Sequence, residues 1–169
     1  MWPGQRRQGV SSRPDAIRIA RDKRYWPNDF RYPYCSLLLP RKSLKDTGVK
    51  KSYHELSQFI IHLYEKLGLD AKFASELQLE QNHSDICLAG KEAYDIIIKD
   101  KKMGGNAQRY TQHALFQHGS IPVQIDKSRF ETLFLGESGL DDAATLEELG
   151  SKLNYEELAL LCKETFIQN

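Results

Sequence analysis

The run from Tyr94 to Gly105 constrains the fold more than any other part of the chain. Tyr94, Ile96 and Ile98 alternate with Asp95, Ile97 and Lys99, the two-residue period of a strand with one face on a core. Lys99-Asp100-Lys101 has the polarity of a hairpin tip. Lys102 and Met103 open a return strand, and Gly104-Gly105 then interrupts it, because glycine weakens strands. An adjacent glycine pair at a strand start marks a bulge, or a place where a ligand lies against bare amides. Cys87 stands just before the outgoing strand and Lys102 just after the turn, so a hairpin folds the two toward each other. That makes this region the candidate site. Asp95, on the outgoing strand, is placed to orient the hairpin or the lysine.

Around the hairpin the elements follow from periodicity and punctuation. Cys35–Leu39 reads as a buried strand ended by Pro40, which lacks a ladder donor. Ser52 with Glu55 has the spacing of a capping box, and Leu56, Phe59, Ile60, Leu63, Tyr64 and Leu67 follow at helical intervals. A helix over 52–67 with a core-facing stripe and Gly68 as its stop is expected. Ala71–Ala74 reads as a short strand and Tyr110–Gln117 as the end of the turn and a third strand, continued by Ile121–Ile125 around Pro122. Asp126 caps a short helix carrying Phe130, Leu133 and Phe134; Thr145 with Glu148 caps one helical turn. Asn154 with Glu157 opens a last helix whose stripe is Tyr155, Leu158, Leu161, Cys162 and Phe166. Strands, a helix, a hairpin cluster and terminal helices make an α/β (α+β) layer built on a mixed, largely antiparallel sheet packed by helices.

A chain of 169 residues is read as one domain with a real core. The net charge of +1 argues against a nucleic-acid partner. No apolar run approaches the roughly 20 residues of a membrane span. The 3 cysteines have no paired spacing and no CxxC or HxxxH suggests zinc, so a reducing, cytoplasmic setting without a bound metal is expected. Cys35 and Cys162 sit in apolar patterns and read as core. Within residues 1–31, Arg6, Arg7, Arg13, Arg18, Arg21, Lys23, Arg24 and Arg31 outnumber Asp15, Asp22 and Asp29. The segment reads as a basic, poorly ordered tail ahead of a domain over 32–169.

Lys102-Met103-Gly104-Gly105-Asn106-Ala107-Gln108-Arg109 resembles the lysine, apolar, Gly/Ser, Gly, small, Ala, Gln run of lipoate–protein ligases and octanoyltransferases. The spacing from Cys87 through Tyr94-Asp95 to Lys102 is similar to the cysteine-bearing octanoyltransferase branch. Phe116-Gln117-His118-Gly119-Ser120-Ile121 resembles the family's next strand, and Tyr34–Pro40 its earlier one, with Ser52-Tyr53 beginning the helix between. The resemblance covers roughly residues 30 to 169 and implies the biotin/lipoate ligase catalytic fold. The family's arginine- and glycine-rich loop has no counterpart ahead of Tyr34, where Trp26-Pro27-Asn28-Asp29-Phe30 stands instead. A shortened or diverged start to the domain is therefore expected.

What the resemblance implies is transfer of a lipoyl or octanoyl group to a lysine of a lipoyl carrier domain, of the glycine-cleavage H type or the 2-oxoacid dehydrogenase E2 type. Lys102 would meet the acyl carbonyl and the phosphate of an acyl-adenylate, as a cation beside a developing oxyanion. Cys87 would take an octanoyl group from acyl carrier protein as a thioester, for which its thiol needs a lowered pKa. A ligase of this kind needs ATP and Mg2+; a transferase needs neither. Gly104, Gly105, Asn106, Ala107, Gln108 and His118 would line the substrate. Each residue also has a plainer reading: Lys102 as a solvated turn lysine, Cys87 as a small core residue, the glycines as a bulge, His118 as a structural strand residue. The alternative at the level of function is a truncated, non-catalytic relative that binds an acyl chain or a lipoyl domain.

Overall fold

In the computed structural model the described residues are 16–20, 30–31, 34–40, 48–77, 90–132 and 138–169. A four-stranded antiparallel sheet runs in the order β1 (Ala16–Ala20), β3 (Tyr34–Pro40), β8 (Ala114–Ser120), β7 (Asn106–Tyr110). A two-stranded ribbon joins β2 (Phe30–Arg31) to β9 (Gln124–Ile125). A three-stranded sheet orders β4 (Lys72–Phe73), β5 (Ile96–Ile98) and β6 (Lys101–Lys102). Helices α1 (Gly48–Lys66) and α3 (Tyr155–Gln168) pack together, while α2 (Lys127–Glu131) is short. This is the mixed, largely antiparallel α/β layer expected. β1 and β2 fall inside the segment read as a basic tail, so the sheets take in residues on both sides of position 31.

The core lies between the four-stranded sheet and the two long helices. Leu37 and Cys35 from β3 meet Phe59, Ile60, Leu63 and Tyr64 of α1 and Leu158 and Cys162 of α3. Burying one such large apolar side chain stabilises the fold by about 1.5–3 kcal/mol. At the end of α1, Gly68 takes φ 74° while its amide donates to the Glu65 carbonyl at 2.9 Å, the left-handed stop read from the sequence. The beginning differs. Helix α1 starts at Gly48, and Ser52 lies inside it with Oγ 2.8 Å from the Val49 carbonyl. Ser52 therefore caps nothing, because its hydroxyl is drawn inward to the sheet.

Tyr110–Gln117 divides into a turn end and a strand: β7 ends at Tyr110, Thr111 closes a turn by donating from its amide to the Ala114 carbonyl at 2.8 Å, and β8 begins. One further expectation changes. The segment after Thr145 forms turns, although Thr145 and Glu148 do exchange the expected bonds at 2.9 and 3.2 Å. The caps Asp126 and Asn154 form as read, Asn154 accepting from the Glu157 amide at 3.0 Å. Leu133 and Phe134 lie outside the described residues.

Candidate active site

The Lys99–Asp100 tip puts two consecutive residues at positive φ, 50° and 62°, the signature of a two-residue type I′ hairpin turn. Ile98 then pairs with Lys101 and Ile97 with Lys102. Ile96, Ile97 and Ile98 are all buried, so the strand is covered on both faces and not on one. Alternation in the sequence shows which residues share a face, but not whether a second layer closes over the other. Ile97 and Asp95 share that second face, and Lys102 stands opposite Ile97. The consequence is an ion pair across the hairpin.

Lys102 is only 5% exposed, which removes the reading of a solvated turn lysine. Its Nζ donates to the Gly90 carbonyl at 2.7 Å and pairs with Asp95 Oδ2 at 2.7 Å. The same Asp95 oxygen accepts from the Glu92 amide at 2.8 Å. The backbone of Lys102 is tied as well, its carbonyl accepting from the Ala144 amide at 3.0 Å. Asp95 was legible as a hairpin residue; the Gly90 carbonyl was not, since backbone acceptors leave no mark on side-chain pattern. Cys87 lies outside the described residues.

Gly104 takes φ 74°, and a Cβ on it would run into the Ser120 carbonyl oxygen. Glycine is required there because the hairpin's exit presses backbone on backbone. At Gly105 a Cβ would meet nothing, yet its carbonyl accepts from the Ser120 amide at 3.1 Å. Asn106 seats its side chain over Gly119, where no Cβ would fit beside it. Its carbonyl accepts from the Tyr53 hydroxyl at 3.0 Å, and Tyr53 stacks on Tyr94 with centroids 5.7 Å apart. The glycine pair thus makes a tight crossing that hands the chain from the lysine hairpin to β7.

β7 and β8 then separate the remaining candidates by face. Ala107 pairs with His118, which pairs on its other side with Ser36. Directly opposed residues share a face, and that face is the one away from the helices. Its next row places Leu38 and Phe116 side by side, 52% and 40% exposed. His118 Nδ1 shares a 2.8 Å hydrogen bond with Ser36 Oγ, and its ring lies parallel to Phe116 at 6.0 Å. Partial burial lowers the His118 pKa below its ordinary value of 6.5 and so favours the neutral ring. Gln108 points the other way. Its Nε2 donates to Gln117 Oε1 at 2.7 Å, and Ser52 Oγ stands 3.1 Å from its Oε1, under α1. The structure thus brings Ala107 and His118 together and sets Gln108 apart from them, in the packing beneath the helix.

The profile of the lipoyl protein ligase A/B catalytic domain matches residues 33–167. The chain belongs to that family. Octanoyltransferase LipM of Oceanobacillus iheyensis is 31% identical over 121 residues, covering 65% of this chain and 44% of that protein. LipM of Bacillus subtilis is 30% identical over 93 residues, covering 52% and 34%. The chain therefore spans less than half the length of these curated relatives. Among solved structures, lipoate–protein ligase A bound with ATP superposes with a TM-score of 0.64 at 16% identity, over 81% of this chain and 51% of that one. Biotin protein ligase of Aquifex aeolicus bound to biotin and ATP gives 0.53 at 18%, over 86% and 52%. The fold is that of the biotin/lipoate ligase catalytic domain. Among the described residues no helix is long and apolar enough to cross a membrane, and no group of three or more His, Cys, Asp or Glu side chains gathers as a metal site.

Proposed function

We propose that this chain transfers an octanoyl or lipoyl group to a lysine of a lipoyl carrier domain, with Lys102 as the group that meets the acyl carbonyl. The observation that carries the reading is the buried Lys102 ammonium, pinned at 2.7 Å to both Asp95 and the Gly90 carbonyl. An ammonium removed from water and fixed in direction stabilises developing negative charge on a carbonyl oxygen more than it stabilises the ground state. Loss of one such donor typically raises a barrier by about 3–4 kcal/mol. The exposed row of Leu38 and Phe116, beside Ala107 and His118, would take the apolar acyl chain. Gly104, Gly105 and Asn106 shape the crossing between the lysine and that row, and Gln108 supports β7 from behind.

Transfer through Cys87 is the preferred route, because curated relatives of this chain are octanoyltransferases. Cys87 precedes Gly90 by three residues, and three residues of chain reach at most about 11 Å. The thiolate would attack the thioester carbonyl of octanoyl acyl carrier protein, and the carrier's thiol would leave with a proton. The amine of the acceptor lysine would then displace the Cys87 thiolate, forming the amide. Acceptors of the glycine-cleavage H type and the dehydrogenase E2 type both suit this chemistry, and a cytoplasmic setting suits a free thiol.

Intact-protein mass after incubation with octanoyl acyl carrier protein tests the route, comparing wild type with Cys87→Ala. A hydroxylamine-sensitive octanoyl adduct in wild type alone establishes the thioester. If none forms but ATP, Mg2+ and lipoate drive a mass gain on an apo lipoyl domain, the chemistry is adenylation. No mass gain in either assay leaves the non-catalytic alternative.

A further inference from the structure

Burying a carboxylate against an ammonium is an inefficient way to stabilise a hairpin. The desolvation of both charges consumes most of their attraction, and well-packed apolar residues of similar size generally do as well or better. Asp95 and Lys102 are nonetheless paired at 2.7 Å, their side chains only 12% and 6% exposed. The pair needs another reason, and the mounting of Asp95 indicates one.

Asp95 belongs to a short loop, 90–95, that is braced from several directions. The Asp95 amide donates to the Glu92 carbonyl at 2.9 Å while the Glu92 amide returns a bond to Asp95 Oδ2 at 2.8 Å. The Asp95 and Ala93 carbonyls accept from the amides of Ala74 and Ser75, at 2.8 and 2.9 Å. Tyr94 stacks on Tyr53 of α1, and Lys91 Nζ reaches Asp142 at 3.6 Å. One loop therefore carries two groups that hold the Lys102 ammonium, the Asp95 carboxylate and the Gly90 carbonyl. A lysine has four rotatable side-chain bonds and no intrinsic direction; a carboxylate fixed at its own backbone supplies one.

We propose that Asp95 is a positioning residue, and that the braced loop 90–95 is a clasp that holds the Lys102 ammonium in a single orientation and withholds it from solvent. The consequence for catalysis rests on the acyl-transfer reading above. The clasp also sets the local charge: Asp95 offsets part of the field of the Lys102 ammonium and fixes the direction of its N–H groups. Reagents that attack free amines should find it poorly reactive.

The experiment uses the full-length protein and two readouts. N-acetoxysuccinimide acetylation, followed by peptide mass mapping, compares Lys102 with Lys163, which is exposed on α3. Under the proposal Lys102 is acetylated far more slowly than Lys163 in wild type. In Asp95→Asn the Lys102 rate rises at least about tenfold and the Lys163 rate is unchanged. Single-turnover octanoyl transfer falls by about 10²-fold, the usual cost of a misplaced group, with the KM for the donor held within about threefold. Asp95→Glu keeps the charge and restores part of both effects; if Asp95→Asn fails to fold, the glutamate variant alone carries the comparison with wild type. Wild-type labelling of Lys102 as fast as Lys163, or Asn and Glu variants indistinguishable from wild type in Lys102 labelling, overturns the clasp. A wild type that transfers no acyl group under any donor sinks the acyl-transfer reading, and the labelling arm still decides the role of Asp95.

Discussion

The two faces of the four-stranded sheet are built by opposite rules. Toward the helices, Gln108, Gln117 and Ser52 are drawn into the core and paired with one another, while the buried Tyr64 hydroxyl of α1 has no hydrogen-bond partner among the described residues. Gln117, 2% exposed, accepts from Gln108 and directs its own amide toward Ser57 Oγ and the Leu56 carbonyl, both at 3.4 Å. Ser52, also buried, stands against Gln108 and the Tyr110 hydroxyl. On the far face, large apolar groups are left in the open, Leu38 and Phe116, with one half-buried imidazole among them. Apolar residues of β3 and β8 fill the core on the helix side, yet Leu38 and Phe116 stand exposed on the far face, in rows that also hold Ser36, His118 and Arg109. The helix-side face specifies register and holds α1, because each hidden amide tolerates one partner geometry.

Substitutions on the two faces test that contrast. The largest expected effect on stability is at Leu115, wholly buried on the helix side: Leu115→Ala lowers unfolding free energy by about 2–5 kcal/mol in a denaturant titration. Gln117→Leu comes next, at about 1–3 kcal/mol, because the Gln108 amide is left without its acceptor in a closed space. If Gln117→Leu is neutral, the helix-side network is packing and not specification, and the contrast fails at that point. Phe116→Ala, one residue away but on the open face, should shift stability by less than about 1 kcal/mol. Its effect should appear instead as a higher KM for an octanoyl donor; a variant that loses stability without a change in KM would place Phe116 in the core's economy after all.

The smallest effect concerns His118. Burial favours its neutral form, so its folded pKa lies below the 6.5 of an exposed histidine. The unfolded chain then binds more protons as pH falls through that range, and folding stability declines with it. The contribution is fully present above about pH 6.5 and lost toward the lower, folded value. For a part-exposed ring, solvent screening keeps that contribution small. An NMR titration of the His118 ring should give a midpoint under 6.5, and His118→Gln should flatten the pH dependence slightly. A midpoint at or above 6.5 would mean that the open face is wetter than its neighbours imply.

Cys35 and Cys162 supply an independent check on the core. The Cys35 thiol hydrogen-bonds with Cys162 and is buried, and both effects push its pKa up. Neither cysteine should react with iodoacetamide in the native protein at pH 8, and both should react once it is unfolded. Native labelling of either would show that α3 opens from the sheet.

Much of this was legible in the residues. A hairpin tip at Lys99-Asp100-Lys101 follows from polarity between apolar runs, while its type I′ geometry came from the structure; Gly68, Asp126 and Asn154 fix helix ends because each satisfies its backbone bonds with local atoms. The lysine, the glycine pair and the strand after them carry the resemblance by themselves. What local pattern missed was whatever depends on a second layer. Ser52 has the spacing of a cap, but a glutamine 56 residues away turns its hydroxyl inward. Gln108 and Ala107 sit one position apart in one motif, yet only the strand's register, set by pairing with β8, decides that they face opposite sides. The sequence by itself determined the family, the hairpin and the helix caps, because those rest on interactions between near neighbours. Tertiary structure alone decided that Lys102 is buried, that Asp95 and the Gly90 carbonyl hold it, and that His118 stands on an open apolar face. Those outcomes depend on which distant elements close over a side chain, and neither spacing nor propensity carries that information.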